Sequence, residues 1–378
     1  MSIHSFFKLR QFLLENYSIS QIGILPNKVF EDAIVETAII ILENRKNFNE
    51  IKFIDIIGQR VIKSELQSEI LLNNNLNSNE NLQKELINFK FLGDISEIIV
   101  GISTGDDKKY CRFEKLTDLD KRAIRGANIS RYNVNYTGEY IWYDREQIIF
   151  DGNNKPKSSL KLAIGQSSPK KPSDFEIPVK IVMQRISKKI IAALDTEQFY
   201  AHTSVVIIKP DDKNIFKTKY ILSILNSSYI NYWLKTNSSN VSINVGTVKN
   251  IPIRNLPLSE QIPYEIKVDA MLSLNKELQE LSIKFQNNIK RNFNLETLSG
   301  KLEDWYKLSY AEFIKELAKK KVKLSLSDEA EWESYFTTET KKALELKAKI
   351  DATDKEIDQM VYKLYDLTEE EIKIIENN

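Results

Sequence analysis

The spacing of apolar positions changes along the chain, and each change predicts a different kind of structure. Residues 4–17 place apolar side chains near helical spacing, which predicts an amphipathic helix. Strands are predicted over Ile19–Leu25, which stops at Pro26, and over Val35–Leu42, which is rich in Val, Ile and Thr. A helix followed by two strands indicates a small α/β piece, and a unit of this size buries little core.

Residues 64–90 are Asn-rich and contain few aromatic side chains, which predicts a linker or a weak helix. Residues 91–258 then contain short apolar runs separated by glycine and proline turns, which indicates a mixed α/β domain. Strands are predicted over Ile95–Val100, Tyr140–Tyr143, Lys180–Ile186 and Ser204–Ile208, and helices over Asp118–Ile124 and Thr218–Trp233.

From residue 259 the apolar period becomes helical. Two stripes carry it: Leu274, Leu278, Leu281 and Phe285, then Leu346, Ile350, Ile357, Val361 and Leu364. Helix starts are predicted near Ser327, at Thr353–Asp354 and at Thr368. We expect three to five packed helices, although the same stripes could instead dock on a partner.

The predicted fold class is therefore α/β with an α-helical end. The predicted divisions are an α/β edge at residues 1–63, a linker at 64–90, a mixed α/β domain at 91–258 and a helical region at 259–378.

Composition argues against membrane spans, a signal peptide, internal disulfides and Cys/His zinc sites. No apolar run approaches the ~18–20 residues that span a bilayer, and the first residues do not read as a signal peptide. One cysteine, Cys111, excludes an internal disulfide, which fits a cytoplasmic protein. One cysteine and two histidines are too few for a zinc site made of Cys and His alone, so no metal site is predicted.

The formal net charge of +1 hides a cationic middle. Residues 101–258 contain 25 Lys or Arg against 15 Asp or Glu, whereas both flanks are acidic. A local field of this sign attracts a polyanion, although ordinary surface lysine would give the same count.

Several stretches of this middle could carry chemistry. Gly101–Tyr110 has glycines that let backbone N–H groups approach a phosphate, but it lacks the ending of a P-loop and could be a plain turn. Lys121–Tyr132 carries four cations, and arginine suits guanine edges or phosphates. The aromatic side chains that follow fit core packing better than base stacking: Tyr132, Tyr136, Tyr140, Trp142 and Tyr143.

Two later stretches offer further polar groups. Gln184–Lys189 is basic and follows a predicted strand, and residues 237–247 form a polar loop that could read base edges or face water. His202 opens a strand, where a single histidine is more often structural than catalytic. The sequence contains no Gly-x-Gly-x-x-Gly, no Pro-Pro and no recognisable nucleophile, so no catalytic residue is predicted.

The order of four stretches resembles the C-terminal half of type IIG restriction-modification proteins and of adenine-specific DNA methyltransferases that have a TaqI-like C-terminal specificity domain. The stretches are Phe6–Leu14 with Val29–Leu42, Gly101–Tyr110 with Ile124–Tyr132, Arg185–Asp195 with His202–Ile208 and Val248–Ile253, and Asp354–Glu371.

The resemblance implies a truncated edge of a methyltransferase α/β domain, then a target-recognition domain, then the family's helical ending. In the family, an upstream segment binds S-adenosylmethionine and receives a flipped adenine in an Asn-Pro-Pro-Tyr loop. No position here matches that segment, so S-adenosylmethionine is expected on a missing or partner methyltransferase core, and this chain is expected to be inactive alone.

The expected partners are double-stranded DNA and a separate methyltransferase polypeptide, with or without a fused nuclease. The residues predicted to contact DNA are Lys108, Lys109, Arg125, Arg131, Arg185, Lys188, Lys189, Asn240, Ser242 and Asn244. Two alternatives stay open: a methyltransferase or restriction enzyme active by itself, and a helical scaffold with no role at DNA.

Overall fold

The computed structural model describes Leu13 and residues 16–24, 38–43, 50–55, 60–66, 89–154, 170–210, 215–237 and 243–377. The chain divides into two compact units, one of residues 1–90 with 236–239 and one of residues 91–235 with 240–378. Within the described ranges, no helix combines the length and the apolar character that crossing a bilayer requires.

The described part of the first unit is a four-stranded sheet in the order β2-β1-β3-β4. Its strands are β1 (Ser18–Ile24), β2 (Ala38–Glu43), β3 (Glu50–Asp55) and β4 (Arg60–Leu66). The predicted strands at β1 and β2 are confirmed, and they pair antiparallel, whereas β1 and β3 are parallel. Strand β2 lies at an edge of the sheet and exposes Ile39 and Ile41. Most of the predicted helix over residues 4–17 lies outside the described residues.

Several short strands and helices follow from residue 89 onward, nearly all of them in the second unit. They are β5 (Phe89–Phe91), α1 (Leu92–Ile95), β6 (Ser96–Val100), α2 (Asp107–Tyr110), β7 (Cys111–Arg112), β8 (Asp120–Ile124), β9 (Ile129–Ser130), β10 (Asn133–Val134), β11 (Tyr140–Trp142), α3 (Arg145–Asn154), β12 (Lys180–Gln184), β13 (Ala192–Asp195), β14 (Tyr200–Ala201), β15 (Val205–Pro210), α4 (Thr218–Asn226), α5 (Ser228–Asn237), α6 (Val245–Lys249) and β16 (Pro252–Arg254). Two four-stranded sheets organise them, in the orders β14-β8-β11-β7 and β13-β12-β15-β6.

Two of the helix predictions in this region need correction. The helix predicted over Asp118–Ile124 is wrong, because β8 occupies Asp120–Ile124 and lies between β14 and β11. Pairing with two strands decides the conformation of this segment, and such pairing is invisible in local sequence. The helix predicted over Thr218–Trp233 is two helices, which meet at Ser227.

The two sheets bury one core, and Gly101 shows how closely their loops pack. A Cβ atom at Gly101 would lie far inside van der Waals contact with the carbonyl oxygens of Ala201 and His202. The Gly101 N–H itself donates to the carbonyl of Val205 at 3.0 Å. This glycine therefore serves chain packing, and its N–H is already used inside the protein, which favours the plain turn at this position.

Replacing Gly101 by alanine should destabilise the protein by about 2 kcal/mol, because the neighbouring atoms are backbone and cannot turn aside. Urea unfolding of the full chain measures this loss. Gly300→Ala is the matched control, because nothing lies within 4 Å of a Cβ atom built there. Equal stability of the two variants would contradict the packing role of Gly101.

The C-terminal region contains five α-helices among its described residues, as the helical period predicts. They are α7 (Leu258–Phe293), α8 (Gly300–Glu303), α9 (Tyr310–Lys319), α10 (Leu326–Leu364) and α11 (Glu369–Glu376). The start predicted at Thr368 is confirmed as the N-cap of α11. Helix α10 begins after its N-cap Ser325, close to the start predicted at Ser327, but it runs unbroken through the start predicted at Thr353–Asp354.

The long helices α7 and α10 enclose a second core with the short helices between them. Phe285 and Trp305 stack with ring centroids 3.7 Å apart, and both are fully buried together with Phe313. This cluster confirms that the predicted stripe ending at Phe285 packs inside the protein. The second stripe lies outside this cluster, although its Ile350, Ile357 and Val361 are also buried.

Candidate nucleic-acid interface

Four segments of the second unit meet and form a surface that we call the loop face. They are residues 125–128, 185–190, 202–204 and 243–247. The backbone N–H of Arg185 donates to the carbonyl of Ser204 at 2.8 Å, and the backbone N–H of Ile243 donates to the carbonyl of Arg185 at 2.8 Å. Backbone hydrogen bonds therefore hold three of the four segments together.

Gly126 joins the remaining segment to the loop face. Its backbone N–H donates to Oγ of Ser204 at 2.9 Å. A Cβ atom at this position would come within 2.8 Å of the Ser204 carbonyl oxygen, so only glycine permits this close approach.

The segments of the loop face carry cations and contain no aspartate or glutamate. Lys188 and Lys189 are exposed, and no residue that the structure describes forms an ion pair with either ammonium group. Ile186 is 64% exposed beside them. Exposed lysines suit phosphate oxygens, and an exposed aliphatic side chain suits the apolar surface of a base or sugar.

The polar loop residues have different positions. Asn244 is exposed, and its Oδ1 accepts a hydrogen bond from the backbone N–H of Gly246 at 2.8 Å, which caps helix α6. Asn240 and Ser242 lie outside the described residues. The role of all three in reading bases stays a prediction.

Helix α2 carries the two lysines predicted near the glycine turn. Nζ of Lys109 lies 2.6 Å from Oδ2 of Asp151 and 5.4 Å from the ring centroid of Tyr110. Lys108 is exposed and has no ion-pair partner in the described ranges. Lys108 is thus the freer of the two for a phosphate contact.

Arg125 is held by two carboxylates at the border of the loop face. Its guanidinium donates to Glu139 from Nε at 2.8 Å and from a terminal nitrogen at 2.7 Å, and to Asp107 at 3.0 Å. Hydrogen bonds from Arg125 raise the pKa of its own guanidinium above the usual value. Burial alone would raise the pKa of Asp107, but hydrogen bonds from Thr104 and Arg125 hold it below its usual value.

Arg131 connects the α/β part of the unit to the long helix α10. Its two terminal nitrogens donate to the carboxylate of Asp354 at 2.7 and 2.6 Å, and one of them also donates to the carbonyl of Asn226 at 2.6 Å. Burial is the main cause that raises the pKa of Asp354, against the opposing charge of Arg131. These contacts give Arg131 an internal role, and its contact with DNA stays a prediction.

Arg185 also uses its side chain internally. A terminal nitrogen donates to the carbonyl of Thr203 at 3.2 Å, which braces the turn of the loop face. Of the seven predicted cations, Lys108, Lys188 and Lys189 are therefore the ones whose charged groups have neither an ion pair nor a hydrogen bond among the described residues, whereas Arg185 has a hydrogen bond to a carbonyl but no ion pair there.

The aromatic side chains of this region pack internally, as the sequence predicts. Tyr132 and Tyr143 are buried, and Trp142 stacks on Tyr110 with ring centroids 5.7 Å apart. Tyr136 lies edge-on to Tyr140 at 6.2 Å. None of these five side chains forms an exposed platform for bases.

Sequence reasoning missed two features of this surface. Ile186 was overlooked because a single apolar residue after a strand looks like part of the strand. The clustering of Asp107, Cys111, Glu139 and His202 was missed because these residues are far apart in sequence and no motif joins them.

The fold and the surface define a mixed α/β domain whose loop face carries cations, with the carboxylates of Asp107 and Glu139 at its border, followed by a helical region. Residues 121–258 match the family model of the TaqI-like C-terminal specificity domain. The resemblance inferred from the sequence is thereby confirmed over this segment. Residues 257–361 match the model of a domain of unknown function, DUF8810.

Three solved structures are similar to the chain at low sequence identity. The type IIL restriction-modification enzyme MmeI, solved in complex with DNA, is 10% identical over 96% of this chain and 45% of its own, with a TM-score of 0.45. The type IIG restriction endonuclease BpuSI is 13% identical over 70% of this chain and 40% of its own, with a TM-score of 0.32. The HsdS subunit from Thermoanaerobacter tengcongensis is 14% identical over 57% of this chain and 41% of its own, with a TM-score of 0.31.

The chain thus spans less than half the length of each of these three proteins. No curated protein matches the sequence.

Proposed function

We propose that this chain is the DNA target-recognition part of an adenine-N6 DNA methyltransferase or type IIG restriction-modification system. The observation that carries the proposal is the match of residues 121–258 to a specificity domain, because the same residues build most of the loop face. Lys188 and Lys189 would contact phosphates, and Asn244 and Ile186 would reach base edges in a groove.

The proposal assigns affinity and specificity to different groups. Phosphate contacts from lysine supply affinity that falls with salt, whereas polar and apolar contacts to base edges supply sequence preference. Backbone hydrogen bonds among the loop segments support this division, since they hold the reading side chains in fixed positions before DNA binds.

Replacing Lys188 and Lys189 together by alanine should weaken the salt dependence of duplex binding. Each lost phosphate contact lowers the slope of log affinity against log salt by about 0.9, so the double variant should lose about two. Fluorescence anisotropy of a labelled duplex, titrated with the full chain at several salt concentrations, measures the slope. The matched control replaces two exposed lysines of the helical region, Lys284 and Lys341, by alanine.

An unchanged slope in the Lys188 and Lys189 variant would exclude these lysines as phosphate contacts. Negligible binding at every salt concentration by the wild-type chain would favour the helical scaffold instead.

The proposal places catalysis on another polypeptide in the cytoplasm. S-adenosylmethionine would bind to a separate methyltransferase core, and the apolar edge strand β2, with Ile39 and Ile41 exposed, would pair with that core. Incubating the pure chain with labelled S-adenosylmethionine and DNA tests this placement. Methyl incorporation without a partner would contradict it and would support the alternative of an enzyme active by itself.

A further inference from the structure

Four side chains that can bind metal ions meet beside the loop face, although they come from distant parts of the sequence. A carboxylate oxygen of Asp107, the Sγ atom of Cys111 and a ring nitrogen of His202 all lie within 4.8 Å of one another. Glu139 adds a second carboxylate, whose Oε2 is 3.6 Å from Nε2 of His202. Helix α2 and strand β7 supply the first two residues, Glu139 directly precedes strand β11, and His202 directly follows strand β14.

The imidazole of His202 lacks the partner that its burial requires. The residue is 4% exposed, and its Nε2 atom has no hydrogen-bond partner among the described residues. An unsatisfied buried polar atom costs about 1–3 kcal/mol. Burial, followed by the nearby charge of Arg125, lowers the pKa of His202.

The guanidinium of Arg125 lies where a cation would be held. One terminal nitrogen is 3.0 Å from Oδ2 of Asp107, 2.7 Å from Oε1 of Glu139 and 3.7 Å from Sγ of Cys111. A single positive charge therefore faces two carboxylates, and the cluster retains one negative charge. The side chain of Arg125 is 40% exposed, so it has an open path to solvent.

We propose that Asp107, Cys111 and His202, with Glu139 beside them, bind a divalent metal ion of the zinc class in the place now taken by the guanidinium of Arg125. Thiolate and imidazole ligands select such an ion over Mg²⁺ or Ca²⁺, which prefer oxygen. Binding would require the Cys111 thiol to lose its proton to solvent. With the guanidinium displaced, the divalent ion faces the thiolate and two carboxylates, so the site keeps one net negative charge.

The counts of cysteine and histidine argue only against sites made of those two residue types. One cysteine and one histidine are enough for a mixed site that is completed by carboxylates, and here the fold brings Asp107 and Glu139 beside them. Burial, followed by the charges of Asp107 and Glu139, raises the pKa of Cys111 to about 12.

Titration of the full, chelator-treated chain with Co²⁺ tests the site. We expect one equivalent of Co²⁺ to give thiolate-to-cobalt absorption, and this band can arise only from Cys111 because the chain has a single cysteine. Cys111→Ser should abolish the band. His202→Ala should weaken binding at least about tenfold, whereas His4→Ala, the control at the other histidine, should leave it unchanged.

Arg125→Gln gives the sharpest test, because the proposal makes Arg125 a competitor of the metal ion. Removing its charge should tighten Co²⁺ binding at least about tenfold, whereas a purely structural ion pair predicts no gain. If this variant does not fold, the thermal unfolding of wild type decides instead: Zn²⁺ should raise Tm in wild type and not in Cys111→Ser. Absence of thiolate absorption at saturating Co²⁺, or equal binding by the His202 and His4 variants, would overturn the proposal.

Discussion

Replacing Lys188 and Lys189 together by glutamate should reduce the affinity of the chain for duplex DNA about 100-fold or more at 0.1 M salt. The change removes two cations from the loop face and puts two carboxylates where phosphates would pass. Like charges held close together cost several kcal/mol in an interface. Fluorescence anisotropy with a labelled duplex measures the loss.

The fold should tolerate this charge reversal. Both lysines are exposed, and surface substitutions of this kind change stability by about 0.5 kcal/mol or less. Lys284→Glu with Lys341→Glu is the matched control, since it changes the net charge equally at helical positions. An equal loss in both variants would show a general charge effect and would contradict a contact surface at the loop face.

Replacing Arg131 by alanine should destabilise the protein by about 3 kcal/mol. The change leaves the partly buried carboxylate of Asp354 without its cation, and it removes the bond to the carbonyl of Asn226. Asp358, one turn further along α10, binds the N-terminus of α5 through the N–H and hydroxyl of Ser228, both within 2.8 Å. The contact at Arg131 thus belongs to the seam that holds α10 against the α/β part.

A double-mutant cycle separates the pair from its surroundings. Either single substitution already removes the ion pair between Arg131 and Asp354. The double variant Arg131→Ala with Asp354→Ala should therefore lose less unfolding free energy than the two single variants lose in sum, by at least about 0.5 kcal/mol. Urea unfolding gives the free energies, and Lys347→Ala, which breaks an exposed ion pair with Asp351 on the same helix, is the control. Loss of DNA affinity in Arg131→Ala at unchanged stability would instead support a direct contact with DNA.

The sequence predicts the parts of this fold whose conformation is decided locally. The run Lys180–Gln184 has an apolar centre of Ile, Val and Met, and it forms a strand whose first four residues are buried, on both faces of the sheet. Thr368 precedes three glutamates, and it caps a helix as expected. Strand β8 shows the opposite case, because its Arg122 lies over the rings of Tyr136 and Phe199 at 4.6 and 4.5 Å. Contacts with these two rings, which are distant in sequence, accommodate the charged side chain of Arg122 in a central strand.

The candidate site is predictable in composition and not in arrangement. The basic stretches containing Arg125 and Lys188 stand out in the sequence. The proximity of these stretches in space cannot be read from the sequence, because the loop face depends on backbone hydrogen bonds between residues as far apart in the chain as Arg185 and Ile243. The fold also divides the arginines from the lysines: the arginine side chains bind internal carboxylates and carbonyls, and Lys188 and Lys189 face outward. Sequence alone treats all of them as equal candidates.

Selection from a pool of randomised DNA duplexes tests most directly the claim that the loop face reads a DNA sequence. Full-length wild-type chain should retain duplexes that share one short motif, and the variant with Lys188→Glu and Lys189→Glu should retain none above background. Retention without a shared motif, or the same motif retained equally by that variant, would contradict sequence recognition by the loop face.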